Sequence, residues 1–475
     1  MKNAKNSSGL TTGSPSCRPP KARIKLPAWP LLILTTALPA LAGPQTAESP
    51  LEARSVVSGQ DHVCAILETG QVKCWGLGDS GQLGHGRPRR GGVPVEMGDR
   101  LPPVDLGPGE RASAIGVGYA TSCALLESRK VKCWGRNAGW ALLGIGDPTV
   151  EYVGSKKTDM GENLRPANIG TAVAPIAMAM GTGHVCVLDA TGKVKCWGIN
   201  YSRAFDYERG QLGLGDTEHR GDSPSKMGDH LPFVQLGIGR TVTAISAGSA
   251  HTCAILDNGQ LKCWGANWAG QLGLGDSRPR GSDPSHMGDN LPPVDLGTGR
   301  LARQVSAGNQ HTCAILDNGD LKCWGDSIAL GLEDARRRGD EANTMGDSLK
   351  PVNLGAGRTA TAVSAGHQNT CAILDNGQVK CWGILSEHEE SWPIAGKKPG
   401  SMGDNLPYVN LGVGRSAREI TAGFFALCAI LDNYRLKCWG DNTFGALGSA
   451  NSKLKGINPY RKDVEIPYVS LGSKR

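Results

Sequence analysis

Fourteen cysteines are spaced as seven pairs, each pair ten residues apart and each second member followed by Trp-Gly. The pairs are Cys64 with Cys74, Cys123 with Cys133, Cys186 with Cys196, Cys253 with Cys263, Cys313 with Cys323, Cys371 with Cys381, and Cys428 with Cys438. Thiols in such a pattern could bind metal, cycle electrons or form bridges. Metal sites favour Cys-x2-Cys pairs with three or four converging ligands, whereas the spacing here is Cys-x9-Cys. The nearby histidines His62, His184, His251 and His311 give way to Thr121, Asn369 and Ala426 in the other copies. Redox cysteines favour Cys-x-x-Cys and an accessible, acidified thiol, which this spacing lacks. No metal and no cofactor are therefore expected.

A hairpin accounts for the spacing. In "HTCAILDNGQLKCWG", residues 251–265, a three-residue loop with Gly259 left-handed sets Leu256 against Gln260. Counting outward, Cys253 then faces Cys263, at a Cα separation of about 4.5–5.5 Å that a disulfide can span. A two-residue Asn258-Gly259 loop would instead put Cys253 opposite Trp264. By the same count, Cys74, Cys133, Cys196, Cys323, Cys381 and Cys438 are each expected to bridge to the cysteine ten residues earlier.

Other motifs carry less chemistry. Arg220-Gly221-Asp222 and Arg338-Gly339-Asp340 occupy one place in the repeat, where another copy reads Arg280-Gly281-Ser282; a turn explains them better than adhesion-receptor recognition. The Met-Gly-Asp element at Met97, Met227, Met287, Met345 and Met402 offers one carboxylate per loop, well short of a calcium site. It is expected to cap a turn leading into the next strand. No nucleophile–base pair, phosphate loop or acid pair stands apart from its repeat equivalents, so no catalytic residue is expected.

The elements that position these residues follow from the repeat. One unit divides into four candidate strands: A (Val242 to Ala247), B (Thr252 to Leu256), C (Gln260 to Trp264) and D (Pro293 to Leu296). A loop of nearly 30 residues separates C from D. Four antiparallel strands repeated seven times predict an all-β, seven-bladed propeller of four-stranded blades. A linear solenoid would need polar capping repeats, and the first and last units here run complete from strand A (Arg54 to Ser58) to strand D (Pro467 to Leu471). The stretch "SAGSAHTCAILDNGQLKCWGANWAGQLGLGD" resembles the repeat of the regulator-of-chromosome-condensation family. That resemblance covers residues 53–472 and implies the seven-bladed fold. The family's nuclear member binds chromatin and promotes nucleotide exchange on a small GTPase, but none of its exchange residues can be matched here.

Residues 1–42 are expected to be a signal peptide, with Lys2 to Lys25 basic, Leu31 to Leu41 apolar and Ala40-Leu41-Ala42 as the cleavage pattern. A linker (43–52), the propeller (53–472) and a short tail (473–475) would follow. Removing the leader takes away six basic and no acidic residues, so the net charge falls from +7 to +1. Near-neutrality argues against nucleic-acid binding. The fifteenth cysteine, Cys17, leaves with the leader, and an even cysteine count suits an exported, oxidised chain. No segment of the mature chain is apolar enough to span a bilayer. Where the repeat breaks, aromatics appear. Trp140, Tyr201, Phe205, Tyr207, Trp268, Trp392 and Phe444 fall in C–D loops, and Tyr119, Phe424 and Phe425 in A–B loops. Alternating strands bring both loop sets to one face, the expected surface for a protein partner or, second, a glycan. The expected product is thus a secreted, periplasmic or surface-exposed monomeric binding scaffold. An extracellular enzyme with a channel site and a purely structural surface protein are the alternatives.

Overall fold

The computed structural model describes residues 49–86, 96–202, 205–386, 395–424, 426–449, 456–461 and 463–474. The expected leader lies outside them. Among these residues, seven antiparallel sheets each begin with three consecutive strands. In the fourth blade the strands are Val242–Ala247 (A), His251–Leu256 (B) and Leu261–Gly265 (C). Gly259 holds φ at +77° and donates its N–H to Leu256 O. This is the three-residue loop, and it registers Ile255 with Leu261 and Cys253 with Cys263.

The other blades repeat that register, and every expected cysteine pair is a disulfide. Cys64 is bridged to Cys74, Cys123 to Cys133, Cys186 to Cys196 and Cys253 to Cys263. Cys313 is bridged to Cys323, Cys371 to Cys381 and Cys428 to Cys438. The Cα atoms of each pair are 4.0–4.1 Å apart, slightly closer than the expected span.

The fourth strand departs from expectation. Segment D is extended but joins strand C through isolated contacts, chiefly Val294 N–H to Leu261 O, repeated as Val352 to Leu321 and Val469 to Leu436. The physical reason is that buried side chains leave the sheet to fill the gap between blades. Val294 and Leu296 pack with Cys253, Ile255 and Cys263 of their own blade and with Val305, Leu316 and Trp324 of the next. Two blades add a two-residue fourth strand from the C–D loop, Tyr152–Val153 and Gly456–Ile457.

Cores therefore lie between blades. Strand B is buried at every position in each blade because alternate side chains face opposite neighbours. Cys253 and Ile255 point to blade five, while Ala254 and Leu256 pack with Leu188 and Cys186 of blade three. The A strands, Ala53–Ser58, Ala112–Val117, Pro175–Met180, Val242–Ala247, Ala302–Ala307, Ala360–Ala365 and Ala417–Ala422, succeed one another around a circle. Each glycine ending strand A meets the carbonyl of the next, in the order Gly59, Gly118, Gly181, Gly248, Gly308, Gly366, Gly423 and back to Gly59, with no room for a Cβ. The ring is closed. Across the closure, Leu51 N–H bonds Gly472 O, Lys474 N–H bonds Ser49 O and Ser473 N–H bonds Asp99.

Candidate functional site

Strand A of every blade lines a central cavity of about 420 Å³. One side of it is apolar, with Ile115, Val117, Met178 and Met180; the other presents Ser246, Ser306, Ser364 and Thr421. These hydroxyls serve the ring: Ser246 Oγ accepts from Ala307 N–H, Ser306 Oγ from Ala365 N–H, Ser364 Oγ from Ala422 N–H and Thr421 Oγ1 from Ser58 N–H, at 2.9–3.1 Å. The cavity opens among the A–B turns, where Tyr119, His367 and Phe424 stand.

The repeat histidines sit beside that cavity and look catalytic at first sight. His62 Nε2 lies 2.9 Å from Ser122 Oγ, the distance of a nucleophile from its base. Both are fully buried, however, and Ser122 Oγ donates to Gln82 O. Its hydroxyl proton is thus committed, and it can only accept from an Nε2–H imidazole. The same bond joins His184 to Thr252, His251 to Thr312 and His311 to Thr370, at 2.8–2.9 Å, always into the next blade. Thr312 Oγ1 and Trp324 Nε1 then share Gln271 O. Burial pushes the His251 and His311 imidazoles down to about 3, their buried histidine neighbours adding to it, and those of His62 and His184 to about 4. These are neutral inter-blade ties.

Lysine supplies a second tie that sequence reasoning missed. Each strand C carries Lys immediately before Cys-Trp-Gly: Lys73, Lys132, Lys195, Lys262, Lys322, Lys380 and Lys437. Lys262 Nζ donates to Leu236 O of blade three and to Gly288 O of its own blade, both at 2.9 Å. Lys132, Lys195, Lys322 and Lys380 repeat the pattern. Burial lowers the Lys262 pKa, opposed by the nearby Asp289. A cation at a fixed position inside seven strands was the available signal.

The Met-Gly-Asp element requires a correction. Its residues do form short turns, such as Gly288–Asn290, but the aspartate does not cap its own turn. Asp289 accepts Ile238 N–H, Asp347 accepts Thr298 N–H and Asp404 accepts Ala356 N–H, each on the preceding blade. The aspartate is the second residue inside its turn, after the N-cap Met287, so its carboxylate is out of the capping position and reaches the D–A turn of the preceding blade. The Arg-Gly-Asp arginines are likewise internal: Arg220 pairs with Asp216 at 2.5 Å and Arg338 with Asp334 at 2.6 Å.

The expected aromatics are placed as follows. Tyr119 and Trp140 stack with centroids 5.6 Å apart, and the Arg136 guanidinium lies 6.0 Å from the Trp140 ring centroid. Trp268 of blade four lies 5.5 Å from Arg337 of blade five. Phe424 stacks on His367 at 3.6 Å, and burial holds that imidazole down at about 4. Phe444 is 37% exposed in the last C–D loop. Tyr201 begins a small hairpin, Tyr201–Ser202 paired with Phe205–Arg209, that also contains Tyr207. Trp392 and Phe425 lie outside the described residues. Arg337 and His367 were not anticipated, because their neighbours become visible only when separate loops meet; Arg136 stands four residues before Trp140, and that spacing was the available signal. Backbone bonds from the start of each C–D loop to the A–B turn, such as Ala266 N–H to Ala250 O, put both loop sets on one face. Among the described residues no cluster of three His, Cys, Asp or Glu side chains could hold a metal. No described helix is long and apolar enough to cross a membrane.

Comparison with known proteins agrees with this architecture. Residues 53–82, 112–138, 176–203, 242–271, 302–327 and 360–386 match the signature described as "Regulator of chromosome condensation (RCC1) repeat". The Ultraviolet-B receptor UVR8 of Arabidopsis thaliana is 27% identical over 426 residues, 87% of this chain and 82% of that protein. Protein pim1 of Schizosaccharomyces pombe is 25% identical over 323 residues, covering 66% of this chain and 54% of pim1. Among solved structures, Prp20p of Saccharomyces cerevisiae, described with its binding to Gsp1p and histones, aligns with a TM-score of 0.55 at 21% identity over 78% of this chain and 80% of that one. Human WBSCR16 aligns with a TM-score of 0.56 at 19% identity over 81% and 91%. The chain carries six regulator of chromosome condensation repeats, built into a β-propeller with a disulfide in each blade.

Proposed function

We propose that this protein is an exported, monomeric binding scaffold that engages a protein partner through the face carrying its A–B and C–D loops. The leading support is the Tyr119–Trp140–Arg136 stack, with Tyr119 39% exposed at the cavity mouth. Aromatic and arginine side chains are the groups that dominate protein interfaces. Trp268 with Arg337 and Phe424 with His367 extend the same face. Relatives such as Prp20p, described as binding Gsp1p and histones, make protein binding a reasonable use of the fold. Fourteen bridged cysteines suit an oxidising compartment, as does the reading of residues 1–42 as a signal peptide and of 53–472 as a single propeller. A glycan is the second reading, since the stacked Tyr119 and Trp140 rings form a platform of the kind sugars use. The test is capture of partners from periplasmic and culture-medium extracts. Wild type is compared with a Trp140→Ala, Trp268→Ala double variant and with an Ile238→Ser, Val413→Ser double variant, whose sites are 89% and 102% exposed on D–A turns. The reading expects one partner to be lost only with the aromatic pair. Equal capture by all three proteins would overturn it.

A further inference from the structure

The seam between blades seven and one gathers two departures from the repeat, Glu419 and Tyr434, around one cavity. Glu419 takes the third position of strand A, where other blades carry Ser55, Ala114, Ala177, Ala244, Gln304 or Ala362. Arg418 precedes it. Tyr434 stands in the hairpin position that is Gly259 in blade four, yet keeps the left-handed φ of +60°, a conformation that a bulky residue rarely adopts. All three line a cavity of about 470 Å³ with Arg54, Glu52 and Glu68, a volume suited to one small molecule.

The charges inside are unevenly committed. Lys474 Nζ occupies both Glu52 (3.0 Å) and Glu68 (2.9 Å). Arg54 only approaches Glu127, at 3.9 Å with both side chains half exposed. Arg418 lies 4.5 Å from the Tyr434 ring centroid and has no carboxylate within ion-pair distance among the described residues. Glu419 Oε1 accepts from Ser55 Oγ at 2.8 Å and Val56 N–H at 2.9 Å, while Oε2 has no partner among the described residues. Burial raises the pKa of this carboxyl, so a cationic donor at Oε2 would favour its ionised form. Two guanidiniums call for an anion, and the open Oε2 calls for a cation or donor. A simple anion would meet Glu419, and a simple cation would meet both arginines. Ile430 and the Tyr434 ring supply an apolar wall.

We propose that this cavity binds a zwitterionic α-amino acid with an apolar side chain, its carboxylate on Arg418 and Arg54 and its ammonium on Glu419 Oε2. The site is independent of the loop face. Isothermal titration of the oxidised protein uses L-leucine as probe, with 4-methylpentanoate and isoamylamine as analogues lacking the amine and the carboxylate. Saturable one-to-one binding of L-leucine is expected, with each analogue weaker by about tenfold or more, the loss of a charge-assisted pair. Glu419→Gln keeps an oxygen for Ser55 and Val56 but presents an amide instead of an anion, and should weaken L-leucine by about tenfold or more. Arg418→Gln should do the same. No saturable binding of L-leucine, analogues that bind as tightly, or a Glu419→Gln protein of wild-type affinity would each overturn the proposal. The analogue comparison needs no variant, so a folding defect cannot rescue it.

Discussion

Acid should unfold this propeller through its histidines before its carboxylates titrate. His251 is fully buried and held at about 3 against 6.5 in the unfolded chain. The folded state therefore keeps it neutral while the unfolded state binds a proton. A depressed folded pKa contributes stability that is complete above pH 6.5 and lost as the pH falls toward the folded value. Each pH unit in that window removes about 1.4 kcal/mol per histidine. Between pH 6.5 and 4.5, His251 alone costs about 2.7 kcal/mol, and His62, His184 and His311 add similar amounts, roughly 10 kcal/mol together. That approaches the whole stability of an ordinary domain. Asp276, Asp317, Asp334 and Asp347, lowered from 3.8, lose their contributions only below this window. Glu419 opposes the trend as one raised carboxyl. The measurement is urea unfolding of the oxidised protein followed by tryptophan fluorescence at pH 7, 6, 5 and 4.5. The diagnostic variant is His251→Asn, because blade six carries Asn369 at this place, donating to Ile384 O, Gly423 O and Phe424 O. It should reduce the pH slope by one proton, about 1.4 kcal/mol per unit. An unfolding free energy unchanged from pH 7 to 4.5 would refute the reasoning.

Thr312→Val keeps the shape but removes the acceptor for His251 Nε2 and one donor to Gln271 O. Leaving a buried N–H unpaired should cost about 2–3 kcal/mol in urea unfolding at pH 7.5; less than about 0.5 would show the tie to be idle. Lys262→Met strips Leu236 O and Gly288 O of their shared donor and should cost about 2–4 kcal/mol, read in the same assay. Replacing Cys253 and Cys263 together by Ala should cost no more than about 3 kcal/mol, with a mass change showing the loss of a single bridge. Gly273→Ala forces a side chain onto φ +69° and to 2.7 Å from Trp324 Nε1. It should lower the thermal midpoint by several degrees, and an unchanged midpoint would contradict the packing of blades four and five.

The hairpin was legible because it is local. Asp257-Asn258-Gly259 sets its own loop, and counting from that loop puts Cys253 opposite Cys263 without reference to the rest of the chain. The repeat likewise announced the blades, since each unit must bury its faces against copies of itself. Segment D reads as a full strand in the sequence because Val and Leu alternate there, but that alternation serves packing between blades more than pairing within one. The aromatic positions could be named, but the stacking of Tyr119 on Trp140, of Arg337 on Trp268 and of His367 on Phe424 depends on loops far apart in sequence.

The amino-acid order by itself determined the staple, the repeat and the sites where the repeat breaks, because periodicity and turn chemistry act over a few residues. Tertiary structure alone decided what joins the copies. His251 reaches Thr312, Lys262 reaches Leu236 and Asp289 reaches Ile238 across blade boundaries. Ring closure finally brings Glu419, Arg418 and Tyr434 against Arg54. These partners lie about 25 to 380 residues apart, at distances fixed by the closed circle of seven wedges, and no local rule sets them.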